Sequence, residues 1–476
     1  MKYSILKYII PLFCICLFIR CKEEIPPQYD MAILNGTIID IGTGDLSTQH
    51  LFISEGRIVK MVSSETDVQF FATTVLDAKN KFLVPGFWDN HVHFRGGAEL
   101  IEANKDFLKL FLANGITTVR DAGGDLTASV MEWKEQIAQG TLAGPTIFTS
   151  GPKLDGANAT WAGSLVVESE ADITTALDSV EQLGVDFVKL YDSRISGELF
   201  LETLRHAETR GMLTSGHMPF SVTLGETVDA GIDAIEHLYY VLKGCSSEEG
   251  EITRAIANKE MGFWESMEKL IASYDEATAM AAFAQLKDNN TYVVPTLHIG
   301  DVLSYLDEED HTNDPYLKLM DSLFIETYQG RINRALTASE KAASDRKQLN
   351  TFFKELAASL NDAGVNLLAG SDSGAYNSYT YPGVSLHNEL KAMVGSGLSP
   401  LEALRTSAYN GAGFFGMQND YGALSEGKIA DIVLLNTNPL KNISDTRNIH
   451  RVIKGTQVYD PAVLAAGYSC PPCVLE

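Results

Sequence analysis

The sequence predicts an α/β protein: a (β/α)8 TIM-like barrel with a small β-sandwich domain built from both termini. In its middle part, eight short apolar runs alternate with amphipathic stretches whose apolar residues recur at helical spacing. Short β-type runs punctuated by glycine lie on either side of this middle part. The length of 476 residues is enough for a barrel of roughly 250 residues and an accessory domain.

The first 21 residues predict export. Lys2 and Lys7 give a positive start, and the run from Tyr8 to Ile19 is almost wholly apolar. Such a run is short for a membrane span and is typical of a signal peptide. Cys21 after it resembles a bacterial lipoprotein cleavage site, although Arg20 replaces the usual small residue. We expect an exported protein, periplasmic or lipid-anchored at Cys21; plain cleavage and an uncleaved anchor are the alternatives.

The net charge of -25 argues against nucleic acid and anionic membrane surfaces as partners, because both would repel the chain. Membrane contact is expected only through the lipid anchor. The expected partner is a small-molecule substrate, and assembly into a homo-oligomer stays open. Cys470 and Cys473 form a C-x-x-C pair at the C-terminus, to which the sequence assigns no role.

The domain boundaries follow from the same pattern. We expect a signal peptide at 1–21, a composite β domain at 30–83 and 424–465, and the barrel at 84–423. The links 241–291 and 300–361 are rich in helix-forming residues and are expected to place extra helices over the barrel mouth. The eight runs predicted as barrel strands are Phe82–Trp88, Ile116–Arg120, Thr146–Thr149, Phe187–Leu190, Met212–Ser215, Ala234–Glu236, Tyr292–Pro295 and Asn366–Ala369.

Metal-ligand residue types stand at the C-terminal ends of five of these runs, where barrel enzymes carry their chemistry. The H-x-H pair on an extended segment directs both imidazoles to one side, since side chains alternate along a strand. Each residue alone has an ordinary explanation, such as a hydrogen-bonded histidine, a solvated lysine or an aspartate in a turn. Their order on successive strands favours one metal site made of His91, His93, Lys189, His217, His237 and Asp372.

This order resembles the amidohydrolase superfamily over nearly the whole mature chain. Segments 83–89 (LVPGFWD), 115–121 (GITTVRD), 397–404 (GLSPLEAL) and 422–431 (GALSEGKIAD) are similar to its imidazolonepropionase-related and Xaa-Pro dipeptidase-like branch. The metal-ligand residues on the successive strands are specific as a group, whereas these four flanking segments mainly identify the fold and the branch.

The resemblance implies two divalent metal ions. His91 and His93 would hold the more buried ion with Asp372, and His217 and His237 the more exposed one. Lys189 would bridge them as N6-carboxylysine, a carbamate formed with CO2, because a bare ammonium would be repelled by the cations. Imidazole and carboxylate ligands favour zinc, although manganese, cobalt and iron stay open.

The resemblance also implies a mechanism. A bound ion lowers the pKa of water to about 7 and so supplies hydroxide at neutral pH. Asp372 is the expected base, which takes the proton of the water and passes it to the leaving amine. His237 lies near the ion expected to polarise the carbonyl, and Tyr239 is the candidate donor to the developing oxyanion, with Tyr240 or simple packing as the alternatives.

The sequence narrows the reaction without fixing the substrate. Phe220 stands where a deaminase of the superfamily carries a glutamate, so deamination is disfavoured, and Lys189 favours a binuclear site. The leading hypothesis is hydrolysis of an amide in a dipeptide, an N-acyl amino acid or a cyclic amide. Lactone or phosphoester hydrolysis is one rival, and a ligand-binding protein on the same fold is another. The expected substrate contacts are Trp161, Tyr191, Tyr239 and Tyr376.

Overall fold

The protein is represented by a computed structural model that describes residues 26–466. The predicted signal segment, Cys21 and the C-x-x-C pair lie outside the described residues. Within 26–466, no helix is both long and apolar enough to cross a membrane.

The strands of the described part follow the predicted alternation closely. They are β1 (Gln28–Ile39), β2 (Leu46–Ser54), β3 (Arg57–Ser63), β4 (Phe71–Asp77), β5 (Phe82–Pro85), β6 (Phe87–Val92), β7 (Ile116–Asp121), β8 (Thr146–Thr149), β9 (Leu154–Asp155), β10 (Leu165–Val166), β11 (Val188–Leu190), β12 (Thr214–Gly216), β13 (Ala234–Glu236), β14 (Tyr292–Val294), β15 (Asp431–Leu435), β16 (Ile449–Lys454) and β17 (Gln457–Tyr459).

The helices separate the strands of the middle part, and the two long links are helical as expected. The helices are α1 (Ile101–Ala113), α2 (Thr127–Ala138), α3 (Glu170–Leu183), α4 (Gly197–Thr209), α5 (Leu224–Asp229), α6 (Tyr239–Gly244), α7 (Glu249–Ala257), α8 (Phe263–Ala272), α9 (Glu276–Asp288), α10 (Leu297–Tyr305), α11 (Ser322–Glu326), α12 (Gln329–Leu336), α13 (Glu340–Ala363), α14 (Val384–Ser396), α15 (Pro400–Leu404), α16 (Asn410–Phe414) and α17 (Pro461–Ala466).

Both ends of the described chain contribute to one mixed sheet, in the order β17-β16-β15-β5-β1-β2-β3, with β4 also paired to β1. The two ends meet where β15 pairs antiparallel with β5, opposing Val433 to Val84 and Ile432 to Pro85. The buried side chains of this sheet form a separate apolar cluster that includes Ile33, Leu83 and Ile432. Burial of this cluster therefore ties the N-terminal strands to the C-terminal ones.

The middle part contains two parallel sheets, β6-β7-β8 and β10-β9-β11-β12-β13-β14. Helices connect successive parallel strands, which makes the protein α/β as predicted. The strands of both sheets are buried along most of their length, as expected when helices cover the outer face. Their C-terminal ends carry the residues singled out in the sequence.

Two of the predicted strands differ in the structure. The run Phe82–Trp88 is divided at Gly86, so β5 joins the mixed sheet and β6 the parallel one. A Cβ at Gly86 would lie 2.2 Å from Thr117 Oγ1. Glycine, which has no side chain, therefore fits at the point where the chain passes from one sheet to the other. The prediction of a regular strand at Asn366–Ala369 is wrong: within this segment Leu367 makes a single isolated parallel bridge to Val293.

Candidate metal centre

Three ligand-type atoms converge at the C-terminal end of β6. His91 Nε2 lies 3.2 Å from His93 Nε2, and Asp372 Oδ1 lies 3.5 and 3.2 Å from these two nitrogens. A tetrahedral ion with bonds of about 2.0–2.1 Å requires neighbouring ligand atoms roughly 3.4 Å apart. The three side chains are buried and fit one divalent ion.

Hydrogen bonds fix both imidazoles from behind. His91 Nδ1 lies 2.6 Å from Glu236 Oε2, and His93 Nδ1 lies 2.8 Å from the carbonyl oxygen of Gly123. Because both acceptors engage Nδ1, each Nε2 is directed to the shared centre. This is the usual way in which a protein fixes the tautomer and orientation of metal-binding histidines.

Glu236 lies beneath the centre and contacts several charged and polar side chains. Its carboxylate accepts from Arg120 Nη2 at 2.8 Å and from the hydroxyl of Ser215, and it lies 3.3 Å from Lys189 Nζ. Burial raises the pKa of Glu236, but Arg120, Lys189 and His91 outweigh it and hold that pKa well below its ordinary value. A fully buried carboxylate is therefore kept ionised by its partners.

Lys189 is a buried amine with an incomplete set of partners. Its Nζ makes no well-aligned hydrogen bond with the described residues, although it pairs with Glu236. Burial lowers the pKa of Lys189 to about 8, so part of the amine is neutral near physiological pH. An uncharged, incompletely bonded amine is what reaction with CO2 requires.

His217 and His237 form a second group beside the first. Their ring centroids lie 4.8 Å apart, and the His237 ring lies 5.2 Å from that of His91. His237 Nδ1 lies 2.7 Å from Thr296 Oγ1, whereas His217 Nδ1 lies 3.6 Å from Asp192 Oδ1. The structure thus brings the ligand atoms of His91, His93 and Asp372 together, and it places the rings of His217 and His237 beside them.

The backbone is strained at this centre. His237, Thr296 and Asp372 have φ angles of 66°, 50° and 53°, in the left-handed region that non-glycine residues rarely adopt. Such strain is characteristic of sites where the surrounding structure forces a side chain into a required position.

The protonation states also suit a metal centre. Burial lowers the pKa values of His93, His217 and His237 well below the ordinary value, so their imidazoles are neutral. Burial raises the pKa of Asp372, but its contacts with His91 and the hydrogen bond with His93 outweigh burial and hold that pKa well below the usual range. Neutral imidazoles and an ionised carboxylate are the forms that bind cations.

A cavity of about 700 Å³ opens from this centre. His217, His237 and Asp372 line its inner end with Tyr191 and Tyr239, and its outer walls carry mainly apolar side chains, including Phe263, Leu303, Leu349 and Phe353. This size suits a ligand of drug-like dimensions.

Two of the predicted substrate contacts, Tyr191 and Tyr239, line this cavity. The other two, Trp161 and Tyr376, belong to a neighbouring aromatic cluster, with ring centroids 5.9 Å apart. The guanidinium of Arg95 stacks 4.0 Å from the Trp161 ring, and Trp161 lies 6.3 Å from Tyr191.

Sequence reasoning missed several residues that hold the site. Glu236 and Arg120 each place a charge at the end of an apolar run, the same signal that singled out Lys189. Asp192 and Asn377 carry no such signal. Asn377 Nδ2 donates to Asp372 Oδ1 at 2.8 Å, and Asp192 accepts from the Tyr240 hydroxyl at 2.9 Å, both contacts that depend on loop geometry.

Comparison with known proteins agrees with this architecture. A sequence profile described as Amidohydrolase family matches residues 82–458. Ochratoxinase from Aspergillus niger is 21% identical, with 90% of this chain and 86% of that protein aligned. A crystal structure of a Xaa-Pro dipeptidase with bound methionine superposes with a TM-score of 0.68 at 18% identity, covering 90% of this chain and 99% of the other. A putative prolidase from Bifidobacterium longum has a TM-score of 0.67 at 20% identity, with coverages of 92% and 99%.

Proposed function

The chain belongs to the amidohydrolase family, and from this membership we propose that it is a metal-dependent hydrolase of an amide C–N bond. The expected substrates are a dipeptide, an N-acyl amino acid or a cyclic amide. The observation that carries the proposal is the triangle of ligand atoms formed by His91, His93 and Asp372, which opens into a cavity large enough for such a molecule.

We also propose that the two parallel sheets form one closed (β/α)8 barrel over residues 84–423. The segment 366–373 supports closure because it bonds to both edges: Leu368 N donates to Val293 O, and Asp372 N donates to His91 O. On the opposite side, Asp186 N donates to Thr149 O and links the sheets there. The mixed sheet would then be a separate β-sandwich domain at 30–83 and 424–465, and the first 21 residues would direct export.

The proposed cofactors are two divalent ions, with zinc favoured by the imidazole and carboxylate ligands. His91, His93 and Asp372 would hold one, and His217 and His237 the other. Carboxylated Lys189 would serve both, which its burial and its incomplete hydrogen bonding support. When bound, such ions lower the pKa of water and polarise a carbonyl group.

The side chains of the chain itself supply the proton transfers. Asp372 is ionised and lines the cavity, so it can take a proton from the attacking water and return it to the leaving nitrogen. Tyr239 also lines the cavity and is the candidate donor to the developing oxyanion. The hydroxyl of Tyr240 is already bonded to Asp192, which favours Tyr239 for this role.

The proposal is tested by metal analysis combined with a substrate screen. Purified protein is expected to contain about two equivalents of metal and to hydrolyse members of a dipeptide and N-acyl amino acid library. Asp372→Asn should lower kcat by at least about 100-fold, and Lys189→Ala should lower both activity and metal content. Turnover of lactones or phosphoesters alone would favour that rival, and metal-free binding without turnover would favour a ligand-binding protein.

A further inference from the structure

Three arginines line the cavity, although the whole chain carries a strong negative charge. Arg331 and Arg334 on α12 and Arg346 on α13 all line it. Among residues 26–466, none of the three guanidiniums has a carboxylate within 4 Å. The acidic residues of the cavity lining are Asp192 and Asp372, both at the inner end. Because no described carboxylate forms an ion pair with these arginines, the cavity offers positive charge to an anionic ligand.

Arg331 is the best placed of these cations. Its Nε donates to the carbonyl oxygen of Tyr376 at 2.8 Å, and its Nη2 donates to Asn377 Oδ1 at 2.7 Å. These bonds hold the guanidinium in one orientation, while Nη1 has no hydrogen-bond acceptor within the described range. A fixed guanidinium with remaining donors is well suited to a carboxylate.

Arg331 lies close to Asp372, the proposed base at the bond to be cut. Asn377 accepts from Arg331 and donates to Asp372 Oδ1, so one amide group separates the guanidinium from the proposed base. In an α-amino acid the nitrogen and the carboxylate are attached to the same carbon. A carboxylate at Arg331 would therefore keep the leaving nitrogen near Asp372, which must protonate it.

We propose that Arg331 binds the α-carboxylate of the leaving amino acid. The substrate is then an N-acyl amino acid or dipeptide with a free carboxylate and bulky apolar groups for the cavity walls, and a cyclic amide without a charge fits less well. This inference rests on the proposed function, because it assigns the leaving group of that reaction.

The test compares N-benzoyl-L-leucine with its carboxamide, N-benzoyl-L-leucinamide, by following benzoate release. The wild-type enzyme should prefer the acid by about 10- to 100-fold in kcat/KM, chiefly through KM, as expected for a charge-assisted hydrogen bond. Arg331→Gln should abolish this preference, with a much larger loss of kcat/KM on the acid than on the carboxamide. Arg331→Lys should restore part of the preference, and Arg254→Gln, the same change of charge outside the cavity, should keep it whole.

Equal turnover of acid and carboxamide by the wild-type enzyme would overturn the inference. An equal loss with both substrates in Arg331→Gln would also overturn it, since the arginine would then act by positioning Asn377 and Asp372. Calorimetry with N-benzyl-L-leucine, which has no scissile amide, separates this inference from the proposed reaction. About tenfold weaker binding to Arg331→Gln supports the carboxylate site even if no substrate is hydrolysed, and equal binding overturns it.

Discussion

The strand ends and the helices that cover them bury polar groups in opposite ways. At the strand ends, Glu236 lies among Arg120, Lys189 and His91, and its pKa is lowered well below the ordinary value, although burial opposes this. In the helical layer, Glu389 of α14 is also fully buried, but it accepts from the backbone N–H groups of Leu297 and His298 at the start of α10. Burial raises the pKa of Glu389 to about 8.

The comparison separates two tasks. At the strand ends, Glu236 and its partners form an ionised network that fixes the direction of His91, so this region suits chemistry that tolerates little movement. The helical layer offers apolar walls and arginines that form no ion pair with the described carboxylates, so it suits recognition of the substrate. Substitutions at the strand ends should therefore lower stability, metal affinity and kcat, whereas those in the helical layer should mainly alter KM.

The largest expected effect is that of Glu236→Gln. The change leaves the guanidinium of Arg120 buried without its anion, which should lower the free energy of unfolding by about 3–5 kcal/mol. It should also weaken metal binding by about 10- to 100-fold, since His91 loses its charged partner. Urea denaturation and metal titration measure the two effects.

Glu132→Gln is the matched control for this change. Glu132 is exposed on α2 and accepts a hydrogen bond from Gln136, one turn away, so its loss should cost about 0.5 kcal/mol or less. If Glu236→Gln lowers the free energy of unfolding by less than about 1 kcal/mol, Glu236 does not stabilise the buried charges at the strand ends as described above.

A smaller effect is expected from the two neighbouring tyrosines. Tyr239→Phe removes a hydroxyl from the cavity and should lower kcat by about 100-fold with little change in KM, if that hydroxyl donates to the oxyanion. Tyr240→Phe makes the same chemical change but removes the bond to Asp192, which lies beside His217. It should weaken metal binding by about tenfold and spare kcat at saturating metal. The opposite ranking of kcat values would assign the oxyanion role to Tyr240.

The sequence predicted the strand-end region far better than the helical layer. Alternating apolar runs located seven of the eight strands, and the residue types at their ends included the cluster of His91, His93 and Asp372, because parallel strands bring equivalent positions to one edge. The apolar run 366–369 was also found, but its pattern does not show that the segment makes an isolated bridge in place of a regular strand. Arg331 and Asn377 likewise depend on how α12 and the loop after Asp372 fold over the cavity, a matter of long-range packing.

The smallest expected effect concerns the pH dependence of stability at Glu389. Its pKa is about 8 in the folded state, above the ordinary 4.5, so between these values the folded protein binds more protons than the unfolded chain. The stability that this group contributes is fully present below pH 4.5 and is lost as the pH rises toward 8, at up to about 1.4 kcal/mol per pH unit. Glu389→Gln removes this titration, so the free energy of unfolding should fall less steeply with pH than in the wild-type protein. Urea denaturation at pH 5, 6.5 and 8 with fixed metal content measures the slope.

Asp89, Asp121 and Asp192, whose pKa values burial also raises, should account for the slope that remains in this variant. An unchanged pH dependence of the free energy of unfolding would mean that Glu389, like Glu236, is ionised at neutral pH. The two buried glutamates would then differ only in the groups that they contact.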